Sequence, residues 1–305
     1  MKFELTILGC SSATPTSSRF PTAQVLNILE RFFLIDCGEG TQMQLRKYKV
    51  KMQRINHIFI SHLHGDHYFG LIGLLSTMHL LGRKNLLHIH AHPDLEKIIN
   101  LQLKASDTRL NYQIAFNYLA YDKSIMLVDD PYFTVETILL KHRIPCCGFL
   151  FREKPRMKSL KKEKLIEYGL SIPAIKKLRE GKDFITAEGK VIPNAEFTFD
   201  APPARSYAYC SDTAYNELII DQIKNVDLLY HEATFTQELV QRAKETFHST
   251  AIQAATIAEK AGVKKLVIGH YSARYKDVKP LVIEAQTIFK NTFPAVEGES
   301  FEVKL

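Results

Sequence analysis

Four potential metal ligands fall within six consecutive residues, His62-Leu63-His64-Gly65-Asp66-His67. Neutral imidazole and carboxylate suit zinc, or manganese or iron where those are supplied. The four side chains can converge only if a turn breaks the alternation of the apolar strand that precedes them, and Gly65 is expected to give the backbone that freedom. A pair of metal ions needs more ligands than this hexapeptide holds. Three further candidates each follow an apolar, strand-like run: His142, Asp212 and His270. A carboxylate can bridge two cations, so Asp212 is the natural shared ligand. Taken singly, each of the three reads as a satisfied structural residue sooner than as a ligand, and it is their common placement that argues for a site.

The elements that must position these residues are legible in outline. Strands are predicted over 24–28, 32–35, 56–61, 133–140, 205–210, 227–230 and 264–268, the last delivering His270. Helices are predicted over 41–50, 70–81, 174–179 and from an Asp94 cap to Lys104; a further helix is capped by Ser249 and stopped by Gly262. His88, His90 and His92 alternate on one face of a strand, but no carboxylate or glycine turn accompanies them, so they are read as structural. His57, His79 and the Cys146-Cys147 pair are read as core.

Composition narrows the class. The 305 residues carry 46% apolar and 24% charged side chains, ordinary for a globular protein with a sizeable core. No apolar run approaches the ~18 residues of a membrane span, and the start lacks the pattern of a signal peptide. Five cysteines, an odd count with an adjacent pair, do not form a disulfide framework, which suits a reducing cytoplasm. Lys+Arg 40 against Asp+Glu 33 gives +7, and segment 151–196 alone holds 12 against 7, a net +5. Its prolines and glycines read as an excursion from the body, either a solvated insertion or a nucleic-acid surface.

The motif His62-x-His64-x-Asp66-His67 resembles the hallmark of the metallo-β-lactamase fold. Further segments are similar to one branch of that superfamily, ribonuclease Z, the short form of the tRNA 3′-processing endonuclease: Leu34-Ile35-Asp36-Cys37-Gly38-Glu39-Gly40-Thr41-Gln42, His231-Glu232-Ala233-Thr234, His248-Ser249-Thr250 and Gly269-His270-Tyr271-Ser272-Ala273-Arg274-Tyr275. The resemblance implies an α/β fold, an αββα sandwich of two β-sheets between helical layers with its site at one edge. The catalytic body would be 1–150 and 197–305, and 151–196 would be an inserted flexible basic arm that grips tRNA. It implies two Zn2+ ions, one on His62, His64 and His142, the other on Asp66, His67 and His270, with Asp212 bridging. Three positions depart from the usual pattern: Ile172-Pro173-Ala174-Ile175 stands for a Gly-Pro turn in the arm, Arg19-Phe20-Pro21 for Arg-Asn, and Cys210-Ser211-Asp212-Thr213 for Ser-Gly-Asp-Thr.

By the same resemblance Asp66 ligates a metal and accepts a proton from the attacking water, and His248 donates a proton to the leaving oxygen. Glu232 either orients His248 or serves as an internal ion-pair partner. Asp36 either accepts a hydrogen bond from a ligand histidine or holds the turn with Gly38 and Gly40. The activity so implied is zinc-dependent removal of 3′ trailers from precursor tRNA, leaving a 3′-hydroxyl and a 5′-phosphate, by a homodimer in the cytoplasm. The rivals are a hydrolase of small phosphodiesters or other esters on the same fold, and an RNA-binding protein with structural metals. The first has no need of a basic arm, and an intact donor at His248 argues against the second.

Overall fold

Strand alternation divides the apolar residues between two faces. In Arg31–Ile35 and Ile55–Phe59, Phe33, Ile35 and Phe59 join one core while Leu34 and Ile58 join another. The computed structural model describes residues 2–304. Its first core lies between two seven-stranded sheets and continues under helices Ala251–Ala261 and Lys279–Ile288. The second lies beneath helices Thr41–Lys47, Leu71–Leu80 and Asp94–Ala105 on the outside of the first sheet. The result is the expected sandwich of two sheets between helical layers.

The first sheet runs Ser300–Glu302, Phe3–Gly9, Ala23–Ile28, Arg31–Ile35, Ile55–Phe59, Leu87–Ala91, Ile114–Tyr118. The second runs Thr292–Pro294, Leu266–Gly269, Leu228–Glu232, Ser206–Cys210, Cys147–Glu153, Phe133–Leu139, Met126–Asp129. Arg31–Ile35 and Ile55–Phe59 are parallel, as are Ser206–Cys210, Leu228–Glu232 and Leu266–Gly269. Phe133–Leu139 pairs antiparallel with Cys147–Glu153, itself antiparallel to Ser206–Cys210, so it runs with the others. These strands share a direction within their sheets, and the loops after their C-terminal ends gather at one edge, where ligands are commonly bound in sheets of this kind.

Several predicted boundaries move, for local reasons. Phe151 to Glu153 belong to strand Cys147–Glu153, and Arg152 Nη2 donates to Gln222 O at 2.8 Å, so they are body rather than arm. At the other end, Thr198–Phe199 pairs with Ser159–Leu160 inside the excursion, which therefore extends past Glu196. The excursion spans 154–204, with 11 Lys/Arg against 7 Asp/Glu. Within it, helix Ile172–Arg179 starts two residues earlier than predicted, because Pro173 is tolerated in a first turn and Ser171 Oγ caps it from Ala174 N. The later helix is capped by Thr250, in a capping box with Gln253, and not by Ser249. Ser249 Oγ donates instead to Thr213 O at 2.7 Å. Asp94 is likewise inside its helix, paired with Lys97 at 2.7 Å, and Pro93 holds the cap position.

Candidate metal centre

The loops beyond the parallel strand ends bring the predicted ligands together. His62, His64, His142 and Asp212 form one group and Asp66, His67 and His270 another, each with its ligand atoms within 4.8 Å of one another. Asp212 carries the two groups into one cluster: its Oδ2 lies 3.7 Å from His62 Nε2 and 3.8 Å from His142 Nε2, its Oδ1 3.2 Å from His67 Nε2 and 3.1 Å from His270 Nε2. Asp36, Asp212 and His270 have φ of 55°, 57° and 57°. Such left-handed backbone is uncommon outside glycine, and here it turns each side chain out of strand alternation into the shared edge.

Gly65 is not in the left-handed region. It starts a short helix, Gly65–Tyr68, so the turn is the helix itself. A Cβ there would meet only the tip of the exposed Phe69 ring, which is free to swing aside.

His67, His142 and His270 are oriented from behind. Asp36, wholly buried, accepts from His67 Nδ1 at 2.7 Å, Ser61 N at 2.8 Å, Ser61 Oγ at 3.0 Å and Tyr209 OH at 2.5 Å. It therefore holds the His67 tautomer, while Gly38 N is bonded to Thr22 O and Gly40 is left-handed without it. His142 Nδ1 donates to Phe247 O at 3.1 Å, and His270 Nδ1 lies 3.1 Å from Thr234 Oγ1, which itself donates to Glu232 at 2.6 Å. Ligand histidines in metal sites are oriented in this way, through the nitrogen that does not face the ion.

The donor set fits divalent cations. His67 Nε2 and His270 Nε2 are buried without a hydrogen-bond partner among the described residues, though both face Asp66 Oδ2 at 3.4 Å. On the other side, His64 Nδ1 lies 3.0 Å from His62 Nε2 and 3.1 Å from His142 Nε2. Zinc–nitrogen bonds of ~2.0–2.1 Å in a tetrahedron place nitrogens ~3.3 Å apart, close to these separations. Electrostatics agree. Burial works against ionised Asp212, yet His270, His67 and His62 hold its carboxyl well below the usual range. Burial opposes charge on His67 as well, but Asp212, Asp66 and Asp36 push it well above the usual imidazole value.

Beside the cluster, His248 Nδ1 donates to Glu232 Oε1 at 2.9 Å. Glu232 is wholly buried and also accepts from Thr213 N at 2.7 Å, Thr234 Oγ1 at 2.6 Å and Ser249 N at 3.1 Å. Burial lowers the His248 pKa, but Glu232, by charge and hydrogen bond, with Asp212 and Asp66, raises it to about 9. His248 also forms a group with Asp212 and His270. Its side chain is 14% exposed and lines an open cleft of about 670 Å³ with Asp66, Asp212 and His270.

The positioning residues Ser61, Tyr209, Thr213 and Thr234 were not singled out from sequence. Thr213 and Thr234 carry a signal, as the last residues of the Cys210-Ser211-Asp212-Thr213 and His231-Glu232-Ala233-Thr234 segments. Cys146 is buried as expected, but it touches the cluster, its Sγ 3.7 Å from His62 Nδ1, and burial holds the thiol well above its ordinary pKa. Arg19, in the departing Arg19-Phe20-Pro21 run, donates to Tyr275 O at 2.8 Å and so ties its loop to the segment after His270. His88 and His90 stack with His57 away from the cluster, and His57 Nδ1 meets His90 Nε2 at 3.1 Å. Desolvation pushes His57 down to about 4 and His90 to about 3, so both are neutral. His92 lies past the strand beside Asp94, and His79 accepts from Asn111 N at 3.0 Å.

Two sheets between helices, with a histidine–aspartate cluster at their common edge, define a protein of the metallo-β-lactamase fold. YhfI of Bacillus subtilis, a solved member, superposes with TM-score 0.69 at 19% identity over 99% of this chain and 100% of that one. The chain belongs to the ribonuclease Z family. It is 52% identical to ribonuclease Z of Bacteroides thetaiotaomicron over 97% of this chain and 94% of that protein. With ribonuclease Z of Cytophaga hutchinsonii the identity is 51%, over 99% and 97%. The solved human tRNase Z, short form, matches with TM-score 0.72 and 27% identity over 99% of this chain and 100% of that one. A family model of the anti-Pycsar protein Apyc1 also matches, over residues 3–154.

Proposed function

We propose that the protein is a zinc-dependent endoribonuclease that removes 3′ trailers from precursor tRNA, leaving a tRNA 3′-hydroxyl and a trailer 5′-phosphate. The observation that carries this reading is the paired ligand groups sharing Asp212, set beside a His248–Glu232 pair in an open cleft. Kinship with ribonuclease Z supplies the substrate class. His62, His64, His142 and Asp212 would hold one ion, and Asp66, His67 and His270 the other, Asp212 bridging. Manganese or iron would suit the same donors. When bound, a cation pair supplies Lewis acidity toward phosphate oxygens and a water nucleophile at neutral pH.

The chain's own groups do the rest. Burial disfavours charge on Asp66, yet His67 and His270 keep its carboxyl ionised. Asp66 Oδ2 takes the Ala13 N–H at 2.7 Å, leaving Oδ1 to accept the proton of the attacking water. Glu232 holds Nδ1 of His248, so Nε2 faces the cleft and donates a proton to the departing 3′ oxygen.

Segment 154–204 would grip the tRNA. It leaves the second sheet at Glu153, and Cys146 and Cys147 stand at the metal end of the same strand. Seven residues at ~3.3 Å each put ~20 Å between the two ends. An arm rooted so far from its own centre is well served by a homodimer, in which it can meet substrate seated on the other copy. No helix among the described residues is long and apolar enough to cross a membrane, and all five cysteines are free and buried, in keeping with work on RNA in the cytoplasm. The test is incubation with end-labelled precursor tRNA, with and without chelator. Cleavage at the trailer junction, blocked by chelator, is expected. A small phosphodiester hydrolysed while precursor stays intact would favour the rival hydrolase.

A further inference from the structure

A second cleft, of about 630 Å³, adjoins the catalytic one and shares His142 and Arg143 with it. Its size lies within the ~300–1,000 Å³ usual for sites that enclose a small organic group. Leu139, Leu140, Ile144 and Ile219 give it apolar walls. Most polar groups around it are already engaged. Gln222 Nε2 donates to Thr137 O at 2.8 Å and Ser124 Oγ at 3.1 Å, and Asn216 Oδ1 accepts from Leu218 N at 3.2 Å.

One feature is left without a structural purpose. Leu218 lines the cleft yet is 91% exposed. It sits on the single turn Glu217–Ile219 that Asn216 caps, so a large apolar side chain is held in water by a built turn. Exposed Lys141 and Arg143 stand along the same cleft, Arg143 3.4 Å from His64 Nε2 and so next to the reacting centre.

A slot with apolar walls, an apolar ledge and cations toward the scissile phosphate complements a flat heteroaromatic ring on a phosphate backbone. We propose that this cleft seats one unpaired nucleobase next to the cut, with Leu218 providing a stacking surface and the cations holding the adjoining phosphate. The proposal rests on the RNA-cleaving reading above. A base still paired in a duplex has no free face or edge to offer, so the cleft selects single-stranded RNA at this point.

A cycle between protein and RNA tests it. Precursors carry either the natural nucleotide or an abasic residue at each of the two positions flanking the cut, and kcat/KM is measured for wild type and Leu218→Ser. In wild type, the abasic change at one position should slow cleavage about 5- to 100-fold, the usual worth of one stacked base. Leu218→Ser should slow the natural precursor by a similar factor and cleave the abasic one as wild type does. Equal losses on natural and abasic precursors, or wild-type indifference at both positions, would overturn the proposal. A wild-type protein that hydrolyses bis(p-nitrophenyl) phosphate but leaves natural precursor uncut would overturn the RNA reading, and the base cleft with it.

Discussion

The metal edge and the basic excursion differ in how they are held. At the edge, Asp36 and Glu232 each collect four donors, and left-handed residues are held by loops from both sheets. The excursion has a small core of its own. Tyr168, Phe184 and Phe197 meet edge to face at 5.2–6.0 Å, Leu178 is buried, and Asn194 Nδ2 donates to Leu178 O at 2.8 Å. Its cations lie outside that core, with Lys176, Lys177 and Lys190 all exposed. Chemistry needs fixed positions, which many partners over-determine, whereas long-range attraction to a polyanion needs only charge on a stable stem.

The largest effect expected is at the edge. Asp212→Ala removes the carboxylate common to both ligand groups, so bound metal and turnover should fall to background on RNA and on small phosphodiesters alike. Metal analysis beside both assays checks it, and full occupancy with an unchanged rate would break the bridging role. His248→Ala should keep its metal but slow RNA cleavage by ~10²–10⁴-fold, the worth of general acid catalysis. A substrate with a nitrophenolate leaving group needs little protonation and should be spared; equal losses on both would remove His248 from the donor role.

The excursion should fail differently. Glu153 N donates to Arg205 O at 2.8 Å, so a short Gly/Ser linker can close the gap when 154–204 is deleted. Small-phosphodiester hydrolysis should persist while tRNA binding weakens. The log–log salt slope should drop by ~0.7–0.9 for each phosphate that the deletion leaves unneutralised, and the local charge points to ~3–5 such phosphates. Unchanged affinity and slope would make the excursion a mere solvated insertion.

The smallest effect is a shift in pH. With the His248 pKa at about 9, the donor is protonated below that value and RNA cleavage should decline above it. Glu232→Gln removes the charge that raises this pKa, so the alkaline limb should move to lower pH. The other charges facing His248, on Asp212 and Asp66, remain and limit the shift. A limb that stays in place would mean that another group controls it.

The main strands, the candidate ligands that meet at one edge and the basic excess are legible in residue type and periodicity, whereas the sandwich itself follows from the resemblance of the motifs. What stayed hidden depends on the tertiary meeting of distant segments. Ser61, Tyr209 and Thr234 are ordinary strand-end residues until both sheets are folded together. The same holds for the cap: Ser249 and Thr250 are equally good candidates in sequence, and Thr213 O, which occupies the Ser249 hydroxyl, decides between them. The excursion starts at 154 rather than 151 because a basic residue, Arg152, can sit in a strand when its guanidinium finds a carbonyl such as Gln222 O. At Gly65 the turn is made by a short helix and not by a glycine dihedral.

The central claim is that the edge cluster is a paired metal centre whose chemistry acts on RNA. The most direct test strips the protein with chelator and titrates zinc back while precursor cleavage is followed at each equivalent. The account predicts no cleavage by the metal-free protein and a full rate at two equivalents per chain. A full rate with none, or with one, would contradict it.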